Sequence, residues 1–154
     1  QDAATFTRRV AMQLRTILPY ADRNGITMAY ENHGEKLPVV QGLLAMLDHP
    51  CFRILLDCGN GYLSGETPDR VTQALLPHAA YFHIKDVRLG PNGETRPQHC
   101  CPVGTGNLDW RHLGRRILDA VRDPLFVFEL PGWSGDAVTG YTASLAGFRR
   151  ALSS

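Results

Sequence analysis

Four short apolar runs in this chain each lead to a side chain that can hold a cation or move a proton. "TMAYE" ends in Glu31 and continues into Asn32 and His33. "RILLD" ends in Asp57, followed closely by Gly59 and Asn60. "YFHIKDVRL" carries His83 and then Lys85, Asp86 and Arg88, and "LFVFE" ends in Glu129. One acidic residue after a strand is ordinarily a helix cap or a solvated loop group. Four such endings on successive runs point to a site, because the carboxyl ends of parallel strands share the edge that carries active sites in α/β folds. Three carboxylates in a low-dielectric site repel, and one or more would have to keep its proton. A divalent cation removes that conflict. Three oxygen donors with one imidazole suit Mn2+, Mg2+ or Co2+ and accept Zn2+, and they exclude all-thiolate structural zinc.

Such a set needs alternating strands and helices to position it, and the hydrophobic periodicity predicts them. A helix is expected over 3–22, with Phe6, Val10, Leu14, Ile17, Leu18 and Ala21 on one face and Pro19 kinking or shortening it. Gly25 is the expected left-handed stop. Strand 26–31 is followed by a helix over 37–50, closed by Pro50, and by strand 52–57. Thr67 as N-cap and Pro68 at the first turn open a helix over 66–79. Strand 80–86 leads into a Gly- and Pro-rich loop of about twenty residues. Asp109 then caps a helix over 110–123, strand 124–130 follows, and a last helix spans about 137–152 with Leu145, Phe148 and Leu152 on one face. Strands alternating with helices imply parallel βαβ units. The expected fold class is α/β, with four parallel strands in a single domain over 1–154.

The chain has 154 residues and a formal net charge of +1. That length suits one domain, and the balanced charge lacks the basic patch of a nucleic-acid binder, so no nucleic-acid partner is expected. No apolar run reaches membrane-spanning length, so no membrane partner is expected. Four cysteines without a CxxC spacing argue against a disulfide framework and place the chain in a reducing, cytoplasmic setting. The adjacent Cys100 and Cys101 read as loop thiols. The chain opens on Gln1 without a charged-then-apolar leader, which suggests upstream processing or a piece of a longer polypeptide.

The motifs "AYENHG", "LLDCGN", "FHIKDVR", "PVGTGNLDW" and "FVFELPG", in that order, resemble the xylose isomerase-like TIM-barrel superfamily. Within it they are most similar to the sugar phosphate isomerase/epimerase group. The resemblance covers nearly the whole chain and corresponds to the second half of a barrel. It implies one divalent metal held by Glu31, Asp57, His83 and Glu129. It also implies that Glu31 and Glu129 act as acid and base on a small carbohydrate, through proton abstraction next to a carbonyl and an enediolate. Lys85 would then meet a substrate hydroxyl or oxyanion, and Arg88 a phosphate or carboxylate. Asn60 and His33 would serve as hydrogen-bond partners around the site, and Asp86 would orient Lys85 or a neighbouring turn.

A whole barrel of this type has eight βα units in roughly 250 residues. Only four are present here, so a fragment, a truncated product or a half barrel completed by a second chain is expected. Self-association or a missing N-terminal half would close it. Two further enzyme readings share the fold. "HIKDVR" with "VGTGNLDW" also resembles inosose dehydratases, which eliminate water through a similar enolate. An abasic-site endonuclease would carry a His where Asn60 stands and an Asp-Arg-His run where "GNLDW" stands, so that activity is not expected. A non-catalytic half barrel that depends on a partner chain is the alternative of another class. Gly104 and Gly106 lack the full dinucleotide fingerprint and read as turn residues leading back to Asp109.

Overall fold

The apolar runs form a four-stranded parallel sheet. The computed structural model describes residues 2–94 and 99–153. The elements are α1 (Ala3–Arg23), β1 (Met28–Glu31), α2 (Leu37–Leu47), β2 (Phe52–Asp57), α3 (Cys58–Leu63), α4 (Pro68–Leu75), β3 (Ala79–Ile84), β4 (Asp86–Val87), β5 (Cys100–Cys101), α5 (Trp110–Ala120), β6 (Phe126–Phe128) and α6 (Ala137–Ser153). Sequence-adjacent sheet strands are spatial neighbours, and every pair is parallel. This is half of a βα barrel.

Strand alternation divides the sheet into two faces. Ile54 and Leu56 of β2, Phe82 and Ile84 of β3, and Phe126 and Phe128 of β6 pack outward. They meet Val71 and Leu75 of α4, Leu113 and Ile117 of α5, and Phe148 of α6. Phe148 anchors this layer, with its ring 5.0 Å from Phe126 and 5.7 Å from Trp110. The other face carries Glu31, Leu55, Asp57, Tyr81, His83 and Val127. The register sets Glu31 beside Leu55, Asp57 beside His83 and His83 beside Val127. That face is the inside of the barrel.

Among the described residues the sheet has four strands, and β1 and β6 each have one unpaired edge, a situation proteins normally cover. Large apolar groups are left exposed near both edges. Ile26 just before β1, and Leu125 and Val127 in and beside β6, are exposed. Among the described residues, no helix is long and apolar enough to cross a membrane.

Several expected boundaries shift. α1 runs through Pro19 to Arg23. It buries Leu18 and Ala21 of the expected face, keeps Phe6, Val10 and Leu14 half-buried, adds Thr7 and Ala11, and leaves Ile17 exposed. The reason is a close crossing with α2, where a Cβ on Gly42 would lie 3.2 Å from Thr7 Cγ2, so small residues of α1 must face that helix. Gly25 does adopt the left-handed conformation, at φ +64°. α2 ends at Leu47, where Asp48 turns left-handed at φ 30°, before Pro50 can act. α4 tightens into a 3-10 turn over Leu76–His78, and α5 stops at Ala120. Leu145 of α6 is exposed, whereas Phe148 is buried.

Strand 80–86 is in fact two strands. β3 ends at Ile84, and β4 pairs antiparallel with β5, a two-residue strand within the Gly- and Pro-rich loop. Cys100 and Cys101 are therefore buried strand residues and not loop thiols. Residues 95–98 of that loop lie outside the described residues.

Candidate metal centre at the carboxyl edge of the sheet

Glu31 closes β1, Asp57 closes β2, His83 is the penultimate residue of β3, and Glu129 follows β6 directly. The Glu129 backbone N–H donates to Ile84 O (3.1 Å), which keeps it in register with β3 one residue past the strand. Each of these four side chains offers one ligand atom, and all four atoms lie within 4.8 Å of one another. His83 Nδ1 lies 3.4 Å from Glu31 Oε1, 3.4 Å from Glu129 Oε1 and 3.7 Å from Asp57 Oδ2. Asp57 and His83 are buried, while the Glu31 and Glu129 side chains stay 27 % and 33 % exposed.

The fit to a cation rests on two buried atoms. His83 Nδ1 is buried without a hydrogen bond, and Asp57 Oδ2 is buried facing only the Lys85 ammonium. Buried polar atoms are normally satisfied. Here the two lie side by side, flanked by two further carboxylates. That is the donor set of a divalent site with mixed oxygen and nitrogen ligands. The four residues thus form a possible metal centre.

The surrounding groups fix the carboxylates. Asp57 also caps α3, its Oδ1 accepting from Asn60 N (2.9 Å), which leaves Oδ2 to face the cluster. α3 itself escaped sequence reading because Gly59 and Gly61 are poor helix formers. Asn60 Nδ2 donates to Glu31 Oε1 (2.8 Å). Lys85, although buried, reaches both other carboxylates: its Nζ is 2.8 Å from Asp57 Oδ2 and 2.9 Å from Glu129 Oε2. Burial works against its charge, but Asp57 and Glu129 outweigh burial and raise its pKa. The same balance holds for His83: burial disfavours the imidazolium, and Asp57, Glu129 and Glu31 together push its pKa up.

Asn32 was not selected from sequence, yet it is buried and welds two strand ends. Its Nδ2 donates to Asp57 O (2.8 Å), and its Oδ1 accepts from Asp57 N (2.9 Å). The available signal was an amide directly after a strand-end glutamate. His33, the neighbour chosen instead, is exposed, and its backbone N–H donates to Glu35 Oε2 (3.2 Å). Arg88 is also exposed and donates to Thr105 O, so its guanidinium ties down a loop. The structure therefore brings Asn60 and Lys85 to the four strand-end residues, and does not bring His33 or Arg88.

Asp86 organises the adjacent turn and does not orient Lys85. Its Oδ1 accepts from Val87 N (2.9 Å) and Leu108 N (3.2 Å), and its Oδ2 from Gly104 N (2.9 Å) and Gly106 N (3.0 Å). The glycines of "PVGTGNLDW" thus wrap a carboxylate. Gly106 must be glycine, because a Cβ there would collide with Asp86.

A cavity of about 530 Å3 opens at the opposite end of the strands, lined by His49, Phe52, Arg53 and His78 among others. It contains none of the four cluster residues.

The sequence matches the family profile described as "Xylose isomerase-like TIM barrel" over residues 1–151. The chain belongs to that family. Among solved structures, it superposes on an IolI protein with a bound zinc atom at a TM-score of 0.82 and 14% identity, covering 99% of this chain and 58% of that one. The 3-keto-D-glucoside 4-epimerase YcjR from E. coli gives 0.75 and 16%, covering 97% and 56%. The probable 3-DHS dehydratase AsbF from Bacillus anthracis gives 0.71 and 21%, covering 90% and 54%. At these identities the likeness is one of fold. This chain spans little more than half the length of each of these structures. Among curated proteins, none matches the sequence.

Proposed function

We propose that the chain is the metal-bearing half of a divalent-metal-dependent isomerase or epimerase acting on a sugar, sugar phosphate or keto-polyol. One observation carries this reading: two buried ligand atoms, His83 Nδ1 without a hydrogen bond and Asp57 Oδ2 facing only the Lys85 ammonium, sit between two half-open glutamates. Held by Glu31, Asp57, His83 and Glu129, a divalent ion such as Mn2+, Mg2+, Co2+ or Zn2+ would supply Lewis-acid polarisation of a substrate carbonyl. The remaining chemistry belongs to the side chains. Glu31 and Glu129 come from the two outer strands, so they flank the buried Asp57–His83 pair. In this reading one carboxylate removes the proton from the carbon next to the carbonyl, and the other carboxyl returns a proton to the opposite face, which inverts the centre. Asn60 holds Glu31 at Oε1 and Lys85 holds Glu129 at Oε2, so each glutamate keeps its second oxygen for another partner.

The fold likeness to a probable dehydratase favours a second reading, in which the same proton abstraction is followed by loss of a hydroxyl. Either activity belongs to a complete pocket, and the open edges at β1 and β6 call for a further half, from the same polypeptide or a partner chain. A half barrel without activity of its own is the reading that remains if no exchange occurs.

The test is solvent-proton exchange. The Mn2+-loaded protein is incubated in D2O with keto-sugars and keto-inositols, and NMR follows deuterium at the carbon next to the carbonyl. Metal-dependent incorporation, abolished in Glu31→Gln and in Glu129→Gln, is the expected result. Inverted product identifies an epimerase and dehydrated product a lyase. A metal-saturated barrel, completed by its further half, that exchanges no substrate proton refutes the enzymatic reading.

A further inference from the structure

Lys85 is the unusual member of this cluster. A buried lysine is normally paired, and this one is paired with the very groups proposed to hold the metal. Its contact with Glu129 Oε2 is a hydrogen bond at 2.9 Å. Its contact with Asp57 Oδ2 is equally short, at 2.8 Å. The ammonium is therefore the close charge partner of both carboxylates. The other oxygen, Asp57 Oδ1, is taken by the Asn60 backbone, so Oδ2 is the ligand atom Asp57 has left to give. One oxygen is thus claimed by both cations.

The backbone is shaped to deliver this lysine. Gly59 lies directly against it: a Cβ there would sit 2.8 Å from Lys85 O and 3.1 Å from Lys85 Cγ. The start of α3 therefore leaves a slot that the lysine stem fills, and that slot points the ammonium at the strand-end carboxylates.

We propose that Lys85 is the resident cation of this site, and that a divalent ion must take Asp57 Oδ2 and Glu129 away from it. This rests on the metal reading above and deepens it. The lysine keeps three clustered carboxylates compatible with folding before loading, and it loosens the metal in return. Once displaced, the ammonium is free to meet a substrate oxygen.

Two measurements test it. Isothermal titration with Mn2+ compares the wild type with Lys85→Met, which keeps the stem and removes the charge. The variant should bind Mn2+ at least about tenfold more tightly, the low end for a close charge pair. A purely structural lysine would give equal or weaker binding, and that result overturns the proposal. The second measurement uses the wild type and does not depend on the variant folding. The sequence contains only two lysines, Lys36 and Lys85, so amine acetylation read by mass spectrometry separates them cleanly. Lys85 should be protected in the metal-free protein and become reactive on Mn2+ saturation, with exposed Lys36 unchanged in both. Continued protection of Lys85 in metal-saturated protein overturns the proposal. If folded wild type and folded Lys85→Met both fail to bind Mn2+, the metal reading itself falls, and the competition with it.

Discussion

Replacing Asp86 by Asn should destabilise the protein far more than an isosteric surface change would. Asp86 is fully buried, and each of its oxygens accepts two backbone N–H groups. Asn keeps one oxygen and presents an NH2 where the other stood. Two hydrogen bonds are lost and two N–H groups then face a donor. At about 1.5–3 kcal/mol for each hydrogen bond to a charged group, the gross loss is roughly 3–6 kcal/mol. Burial works the other way, pushing the Asp86 carboxyl above its usual range, and Asn escapes that penalty. A net loss of about 2–4 kcal/mol remains, and at roughly 2–4 °C per kcal/mol for a chain of this size the midpoint should fall by roughly 10 °C. Differential scanning calorimetry with parallel urea melts measures it. Asp86→Ala, which removes all four acceptor contacts, should fall further. The reasoning fails if Asp86→Asn melts within about 2 °C of the wild type.

Mn2+ at a hundredfold its dissociation constant should stabilise the fold by about 2.7 kcal/mol and raise the midpoint by roughly 5–10 °C. Chelation should reverse this, and Asp57→Asn or His83→Ala should abolish it; a silent metal titration by thermal melt would contradict the site. Burial pushes the Cys58 thiol up to about 12 and the Cys100 thiol up to about 11. Both should therefore resist a thiol reagent at about pH 8, while the half-buried Cys51 reacts first and all four react after denaturation. Burial pushes Glu35 up, but the Gly34 N–H and the Tyr30 hydroxyl outweigh it and hold the carboxyl below the usual range. A depressed carboxyl stabilises above the unfolded value and loses that contribution as pH falls through the folded one. The stability gap between wild type and Glu35→Gln should therefore be open at about pH 6 and closed near pH 2–3, as urea melts across pH would show.

The candidate centre was legible in the sequence because strand ends are local signals. Glu31, Asp57, His83 and Glu129 each terminate or nearly terminate an apolar run, and parallel pairing then places such ends on one edge without further information. The strand and helix types followed from periodicity for the same reason. α3 and β5 did not, since two glycines hide one and a two-residue strand hides the other. The buried face of α1 extends to Thr7 and Ala11 beyond what periodicity alone predicts, because α2 crosses closely at Gly42.

What the sequence determined alone was therefore the order of the elements and the identity of the four converging side chains. Tertiary structure decided which neighbours join them. Asn32 and His33 are adjacent in the chain, as are Lys85 and Asp86, yet Asn32 grips Asp57 while His33 faces solvent, and Lys85 enters the cluster while Asp86 turns to a loop about twenty residues on. Where the chain leaves the sheet, the direction of a side chain is set by what lies across from it. For these residues that is Asp57, Glu129 and the backbone of the Gly-rich loop, all distant in sequence.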